Sequence, residues 1–436
     1  MRGVGNRSWA LVVLVLASAC SNAPTADTSI VTGDETDTFS RAPAPTLLLV
    51  EGIGLDGTVE QLAKVALPTD DFSLGDKGRT DIGAIRVTAS DATGKVLVRG
   101  ESLAVQFGAL ENAPLEVFAQ RTGELARMPR APAALDAPLL GVTVGRYLVA
   151  ASGTTMFLYD LLRLQALDGI PALTRTAKSF VTFGTAAIVI DDQGATTIDL
   201  STQVTSELTA PVGGTFAELA GGSSVYLADG SAFVIGGTRT STPSSRVLAI
   251  TKDGIVAFAT LATPRQGACA AWVEGRGLII VGGTTDAKAP GAEVLAPGSV
   301  QGAPLPYAAE AVKRCGATAL DASHVLVAGG SGSAVDVKGA APARVLDLAC
   351  ASSCKLTAWP GPMPLVRAEA FPLAPDAALV AGDDATGTTR VFRATSKGAT
   401  EITVKAPRRN ARLIALPVTG TVALVGGAGA IEQYLE

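Results

Sequence analysis

The chain has 436 residues, of which 47% are hydrophobic, 5% aromatic and 17% charged, and its formal net charge is −5. The apolar fraction is large enough for a folded core and excludes a globally disordered chain. The acidic balance argues against a nucleic-acid-binding protein, because such a protein needs a basic surface to neutralise phosphates. The 48 glycines and the few aromatic residues favour β-structure with frequent tight turns over a helix bundle.

The first predicted element is an export signal at residues 1–19. Arg2 and Arg7 form a basic region ahead of the apolar run 9–16. This run is shorter than the roughly 20 residues that a membrane-spanning helix needs, so it predicts a cleaved signal peptide rather than an anchor helix.

The small residues 17–19 followed by Cys20 resemble the lipobox of bacterial lipoproteins, with Ala17 where that family usually has Leu. The resemblance implies cleavage before Cys20, which would carry thioether-linked diacylglycerol and an amide-linked acyl chain such as palmitate. Ser21 at the next position is compatible with export to the outer membrane, on either of its two sides. The alternative is cleavage near Ala19 or Ala23, which would release a soluble exported protein.

Two further segments precede the main fold. Residues 20–45 are rich in Ser, Thr, Pro and acidic residues without apolar periodicity, which predicts a lipidated, disordered tether. Residues 46–122 contain five strand-like runs, at 46–50, 82–89, 95–98, 103–107 and 115–119, and a hairpin turn at Gly94. We expect a small β-sandwich, which resembles immunoglobulin-like modules in size and pattern.

Residues 123–436 contain a repeat. Short apolar strands end in two small or turn-forming residues, and the first of these stands at positions 151, 191, 236, 282, 329, 382 and 426. Seven passes of about 45 residues predict a seven-bladed β-propeller with one four-stranded sheet per blade.

The repeat resembles the kelch family, whose central-domain type occurs in galactose oxidase. The best match is the stretch 327–367, which contains Gly329, Gly330, Trp359 and Arg367 in plausible register. The resemblance implies a degenerate kelch propeller, because the chain has only five Tyr and three Trp for the family's aromatic positions. A divergent propeller of another family is the alternative.

The chain end provides only three strands for the last blade. The missing fourth strand can come from residues 123–128, just before the first pass, and would close the ring by removing its open edges. Residues 115–119 are the other candidate for this strand.

Four cysteines follow Cys20 in the sequence, and an even number in an exported protein favours disulfides. Cys269 and Cys315 occupy nearly equivalent inner-strand positions of neighbouring blades, while Cys350 and Cys354 can close a small hairpin. We therefore predict the pairs 269–315 and 350–354, with a four-cysteine zinc site as the alternative.

Arginines recur 15 to 18 residues ahead of five of the paired turns, near the start of each innermost strand. They can ring one mouth of the central channel and bind a carboxylate, a phosphate or an acidic loop of a partner. The alternative is that each arginine binds local carbonyls or an acid as part of the fold. The five residues are Arg175, Arg265, Arg314, Arg367 and Arg408.

The sequence predicts no catalytic residues, metal or cofactor. His324 is the only histidine, so a triad or histidine-rich metal centre would depend on it alone, and acidic pairs such as Asp191-Asp192 stand at turn positions. The predicted function is a monomeric, lipid-anchored binding or scaffold protein of the cell envelope, which binds a protein or glycan partner. The alternative is a periplasmic propeller enzyme acting on sugars, similar to kelch-type mutarotases or epimerases.

Overall fold

The computed structural model describes most of the chain after residue 27. The described ranges are 28–69, 82–106, 114–132, 140–170, 172–200, 202–227, 229–237, 242–284, 286, 288–332, 340–374, 376–418 and 420–436. The predicted signal peptide and Cys20 lie outside them. The described secondary structure is β apart from a 3₁₀ helix at Phe216–Leu219. Within these ranges, no helix has the length and apolar character needed to cross a membrane.

Seven strands form one sheet ahead of the ring. They are β1 (Thr28–Val31), β2 (Leu47–Gly54), β3 (Val59–Ala66), β4 (Ile82–Ser90), β5 (Val96–Glu101), β6 (Val105–Gln106) and β7 (Leu115–Arg121). Their order is β1-β7-β5-β4-β2-β3, with β6 paired to β4, and only β1 runs parallel to its neighbour. The predicted runs coincide with β2, β4, β5, β6 and β7. All seven strands belong to one curled sheet, and the expected two-sheet sandwich is not seen among the described residues.

Alternating apolar residues form the core of this sheet. Leu48 and Val50 on β2, and Ile85, Val87 and Ala89 on β4, are at most 2% exposed. Residues two apart in a strand point to the same face, so the pattern places these side chains in one layer. They pack with β5 and β7 in a single apolar cluster.

Residues 28–45, here called the strap, are folded onto the sheet rather than free. Strand β1 pairs with β7 in parallel. The buried Arg121 guanidinium donates hydrogen bonds to the carbonyl oxygens of Thr38 (3.1 Å) and Pro43 (3.0 Å). The Arg127 guanidinium binds Glu35 Oε1 at 2.9 Å. The structure therefore differs here from the predicted tether, because hydrogen bonds and an ion pair hold a segment that lacks apolar periodicity.

Seven four-stranded antiparallel sheets form the propeller. From the innermost strand outward, blade 1 is β9 (Leu140–Val144), β10 (Tyr147–Ser152), β11 (Thr155–Asp160) and β12 (Gln165–Ala166); blade 2 is β13 (Ser179–Phe183), β14 (Ala186–Ile190), β15 (Ala195–Asp199) and β16 (Thr205–Leu208); blade 3 is β17 (Ser223–Tyr226), β18 (Ala232–Ile235), β19 (Ser244–Ile250) and β20 (Val256–Arg265); blade 4 is β21 (Cys269–Val273), β22 (Gly277–Val281), β23 (Ala292–Leu295) and β24 (Ala303–Leu305). Blade 5 is β25 (Gly316–Ala319), β26 (His324–Ala328), β27 (Arg344–Asp347) and β28 (Thr357–Ala358); blade 6 is β29 (Arg367–Ala374), β30 (Ala377–Asp383), β31 (Thr389–Thr395) and β32 (Gly398–Ile402); blade 7 is β33 (Arg412–Ala415), β34 (Thr421–Val425), β35 (Glu432–Leu435) and β8 (Leu125–Arg127). The predicted seven-bladed propeller is confirmed.

The ring closes through a strand from before the first blade. Each innermost strand contacts the next one, and β33 returns to contact β9. In blade 7 the outer strand β8 pairs with the last strand, β35, with Leu125 opposite Tyr434. The Gly123 amide extends this pairing by donating to the Leu435 carbonyl at 2.8 Å. The predicted closure by residues 123–128 is therefore confirmed, and the other candidate, 115–119, lies in β7 of the N-terminal sheet.

The repeated glycine pairs allow backbone conformations that other residues rarely adopt. Gly282 and Gly283 both have φ of +75°, a conformation that strains residues with a Cβ. A Cβ on Gly282 would also lie 2.5 Å from the Val312 carbonyl oxygen of the chain leading into blade 5. The repeat thus marks the point where each second strand turns against the neighbouring blade.

Both predicted disulfides are confirmed. Cys269 and Cys315 join blade 4 to the start of blade 5, with their Cα atoms 5.5 Å apart. The disulfide between Cys350 and Cys354 closes a five-residue loop in blade 5, and its Cα atoms are 5.9 Å apart. The alternative of a four-cysteine zinc site is wrong, because all four sulfurs are in disulfides.

Candidate functional site

The ring has two faces, which the direction of the strands defines. All seven innermost strands begin at one face, here called the upper face, and the turns after the second strands open on the same side. The five predicted arginines lie there, at most four residues before an innermost strand or at its first residue. Their predicted position is therefore correct, but their side chains do not act alike.

Arg265 is a structural residue. Its guanidinium is fully buried and binds Glu293 Oε1 on blade 4, with Nη2 at 2.8 Å and Nε at 3.0 Å. The same guanidinium donates to the carbonyl oxygens of Gly282 (2.6 Å) and Pro290 (2.8 Å). Because Arg265 ends the outer strand of blade 3, this pair locks two blades together.

Arg408 repeats this arrangement before blade 7. Its buried guanidinium lies 2.6 Å from Glu432 Oε1 and donates to the Leu424 and Ala430 carbonyl oxygens at 3.1 Å. Burial lowers the pKa of Arg408, and the Glu432 carboxylate opposes this shift. The hypothesis that Arg265 and Arg408 bind a ligand at the channel mouth is therefore wrong, since neither guanidinium reaches solvent.

Arg175 and Arg367 each bind a turn aspartate 16 residues further along the chain. Arg175 Nη1 lies 3.1 Å from Asp191, and Arg367 Nε lies 2.8 Å from Asp383. These aspartates also accept local hydrogen bonds, such as that from the Gly194 amide to Asp191 at 2.9 Å. The carboxylates are thus engaged in turns and ion pairs, as expected from their turn positions, and the two arginines stabilise the turns.

Arg314 is the exception among the five. Its backbone links three blades, because its amide donates to Gly267 O at 2.8 Å and its carbonyl accepts from the Ala368 amide at 2.9 Å. Its φ of +61° is the left-handed conformation that residues with a Cβ rarely adopt. Arg314 is half-buried, and its guanidinium has no hydrogen-bond or ion-pair partner among the described residues.

A second unpaired guanidinium lies two blades further round the upper face. Arg409 follows the buried Arg408 and is exposed, and no described residue binds its side chain. Sequence analysis overlooked it, because its neighbour occupies the repeated position. The signal in the sequence is the doubled arginine directly before Asn410, because asparagine is common at left-handed turn positions, and Asn410 does have a φ of +54°.

The acids of the interblade ion pairs were also missed. Glu293 and Glu432 lie on the third strands of blades 4 and 7. In blade 5 the charges are exchanged, since Arg344 on the third strand binds Glu310 in the preceding connection at 2.6 Å. The interblade ion pair therefore recurs in blades 4, 5 and 7, but the arginine and the acid exchange positions in blade 5. A search for recurring arginines alone does not find this pattern.

The only histidine of the sequence lies at the start of a strand. His324 begins the second strand of blade 5, and its Nδ1 lies 2.8 Å from Asp321 Oδ2. Among the residues that the structure describes, no three His, Cys, Asp or Glu side chains are grouped so that they could hold a metal ion.

No family model matches the chain, and no curated protein matches it. The solved structures that match include the computationally designed Ika8 protein, at 12% identity and a TM-score of 0.44, covering 71% of this chain and 100% of that one. A chain of the mitotic checkpoint complex matches at 11% identity and a TM-score of 0.45, covering 72% and 91%. U3-55K matches at 10% identity and a TM-score of 0.32, covering 81% and 92%. The propeller is defined by its own strand pairing.

Proposed function

We propose that this protein is a lipid-anchored binding protein of the cell envelope, which presents the upper face of a degenerate kelch-type propeller to an acidic protein or glycan partner. In this proposal the acylated Cys20 holds the chain at the outer membrane, and the propeller performs no chemistry. The support for the anchor is the lipobox-like sequence that ends at Cys20.

The observation that carries the binding role is the guanidinium of Arg314, which has no partner in the part of the chain that the structure describes. An arginine without an acid partner next to a folded, left-handed backbone is available to a carboxylate or phosphate from outside, and Arg409 adds a second exposed guanidinium on the same face. Guanidinium groups bind such planar anions through paired hydrogen bonds. The partner is therefore expected to present acidic groups, although the protein itself carries a net charge of −5.

The test is capture of a partner from envelope extracts by three forms of the protein. We expect the Arg314→Ala/Arg409→Ala variant to bind its partner roughly 100- to 10,000-fold more weakly than the wild type, because each of the two lost charge-assisted hydrogen bonds contributes about 1.5–3 kcal/mol. Arg276→Ala is the matched control, since Arg276 is an exposed arginine in the turn between β21 and β22 on the opposite face. Equal recovery of the same partners by all three forms would show that the upper-face arginines do not bind the partner.

A further inference from the structure

The N-terminal sheet has one end at which several features meet. Strand β5 is antiparallel to both β4 and β7, so β4 and β7 begin at the same end of the sheet. Strand β1 is parallel to β7 and therefore also begins there. Because β2 is antiparallel to β4, the turn from β2 to β3 lies at this end as well. The chain that leads back to Cys20 and the β2–β3 hairpin thus share one end of the sheet.

The hairpin exposes two large apolar side chains at this end. Leu55 is 71% exposed in the turn, and Val59 is 54% exposed at the start of β3. Between them, Asp56 is held by the Thr58 amide at 3.0 Å and the Thr58 hydroxyl at 2.7 Å. The turn is therefore ordered by its own hydrogen bonds, and its two apolar side chains are left to solvent.

The length of chain before the strap limits where this end can lie. Seven residues separate Cys20 from Thr28, and eight Cα-to-Cα steps span at most about 29 Å when fully extended. The sheet has five strand spacings from β1 to β3, or roughly 24 Å at about 4.8 Å each. An acylated Cys20 therefore keeps the β1 edge within about 29 Å of the lipid surface, and the β3 edge, about 24 Å further along the sheet, can reach the same surface.

We propose that the hairpin of residues 55–59 is a second membrane contact, which inserts Leu55 and Val59 into the interfacial layer of a zwitterionic bilayer. This inference rests on the proposed lipid anchor. The anchored chain leaves at the β1 edge and the hairpin stands at the β3 edge, so the sheet contacts the membrane at two points of one end. The acidic residues Asp56 and Glu60 beside the apolar pair favour a zwitterionic over an anionic surface.

The second contact also gives the ring an orientation. The ring contacts the sheet through β7 and the strap, for example where Arg130 of the ring side binds Glu116 on β7. The β3 edge lies on the far side of the sheet from β7. A sheet held at two points restrains the propeller more than a single acylated chain does, because the second contact limits rotation about the first.

The experiment uses the acylated full-length mature protein in phosphatidylcholine vesicles whose acyl chains carry bromine, which quenches tryptophan on contact. Leu55→Trp places the probe in the hairpin. Val96→Trp is the matched control, because Val96 is 39% exposed at the opposite end of the same sheet. Emission from Trp272 and Trp359 is common to both variants and is subtracted with the wild type.

We expect the added tryptophan at position 55 to lose most of its emission in brominated vesicles, while the one at position 96 keeps its emission. Equal quenching at the two positions, with the protein still floating with the vesicles, would overturn the second contact and leave the lipid anchor intact. Failure of the wild type to float with the vesicles would overturn the anchor, and this inference with it.

Discussion

Replacing Arg265 by alanine is expected to lower the free energy of unfolding by about 3–5 kcal/mol, because Glu293 would be left as a buried charge without a partner. Both side chains are fully buried and their closest atoms are 2.8 Å apart. Glu293 also accepts hydrogen bonds from the Ala262 and Thr263 amides, so its carboxylate cannot turn away to solvent. The loss is expected to appear as a lower midpoint of urea unfolding, followed by circular dichroism.

Arg390→Ala is the control for this experiment. Arg390 binds Glu401, but the two side chains are 32% and 46% exposed, so removing this pair is expected to change stability by less than about 1 kcal/mol. A double variant, Arg265→Met/Glu293→Leu, removes both buried charges and is expected to recover much of the lost stability. If Arg265→Ala and Arg390→Ala unfold at the same urea concentration, the buried pair does not lock blades 3 and 4.

Deleting residues 431–436 is expected to prevent formation of the closed ring. The deletion removes Ile431, Tyr434 and Leu435, which are at most 2% exposed. Even truncation of a buried side chain of this size to alanine costs about 2–5 kcal/mol, so the sum reaches the roughly 5–15 kcal/mol that stabilises a typical domain. It also removes Glu432 and leaves Arg408 buried without its acid.

Limited proteolysis and size-exclusion chromatography measure this effect. The truncated chain is expected to be digested within blades that resist protease in the full-length protein. Glu436→Gln is the control, because it keeps β35 and alters only the contacts of Glu436 with Arg393 and Tyr434. A truncated chain that stays monomeric and resistant to protease would mean that the pairing of β8 with β35 is not needed for the ring.

The sequence was sufficient for the ring because its determinants are local and repeated. Each blade combines a short apolar strand with a turn of small residues, and positions such as Gly282 require a backbone that few other residues adopt. Counting strands at the chain end then predicted the pairing of β8 with β35. Equivalent positions in neighbouring blades predicted the disulfide between Cys269 and Cys315.

The strap and the edge strand escaped prediction for a physical reason. Arg121 holds the strap through carbonyl oxygens about 80 residues away, and no local pattern encodes such partners. Strand β3 alternates weakly, because it lies at the sheet edge and carries Glu60 and Lys64. Exposed edge strands need no apolar face to be stable once a neighbour provides the hydrogen bonds.

The five arginines show how far a repeat identifies a site. Their spacing correctly placed them at the upper face, but their roles depend on partners on other strands. Arg265 meets Glu293 and is buried, whereas Arg314 meets no acid in the described part of the chain. The repeated position therefore predicted where each guanidinium lies. Whether that guanidinium can bind a ligand depends on which acids the fold brings next to it.

Acyl labelling of Cys20 tests most directly whether this propeller is displayed at a membrane. Cells that express the wild type or Cys20→Ala are grown with a labelled fatty acid and separated into membrane and soluble fractions. The wild type is predicted to incorporate label and sediment with membranes, and Cys20→Ala is predicted to lose both the label and the membrane association. A Cys20→Ala protein that still carries label and sediments with membranes would contradict the lipid anchor.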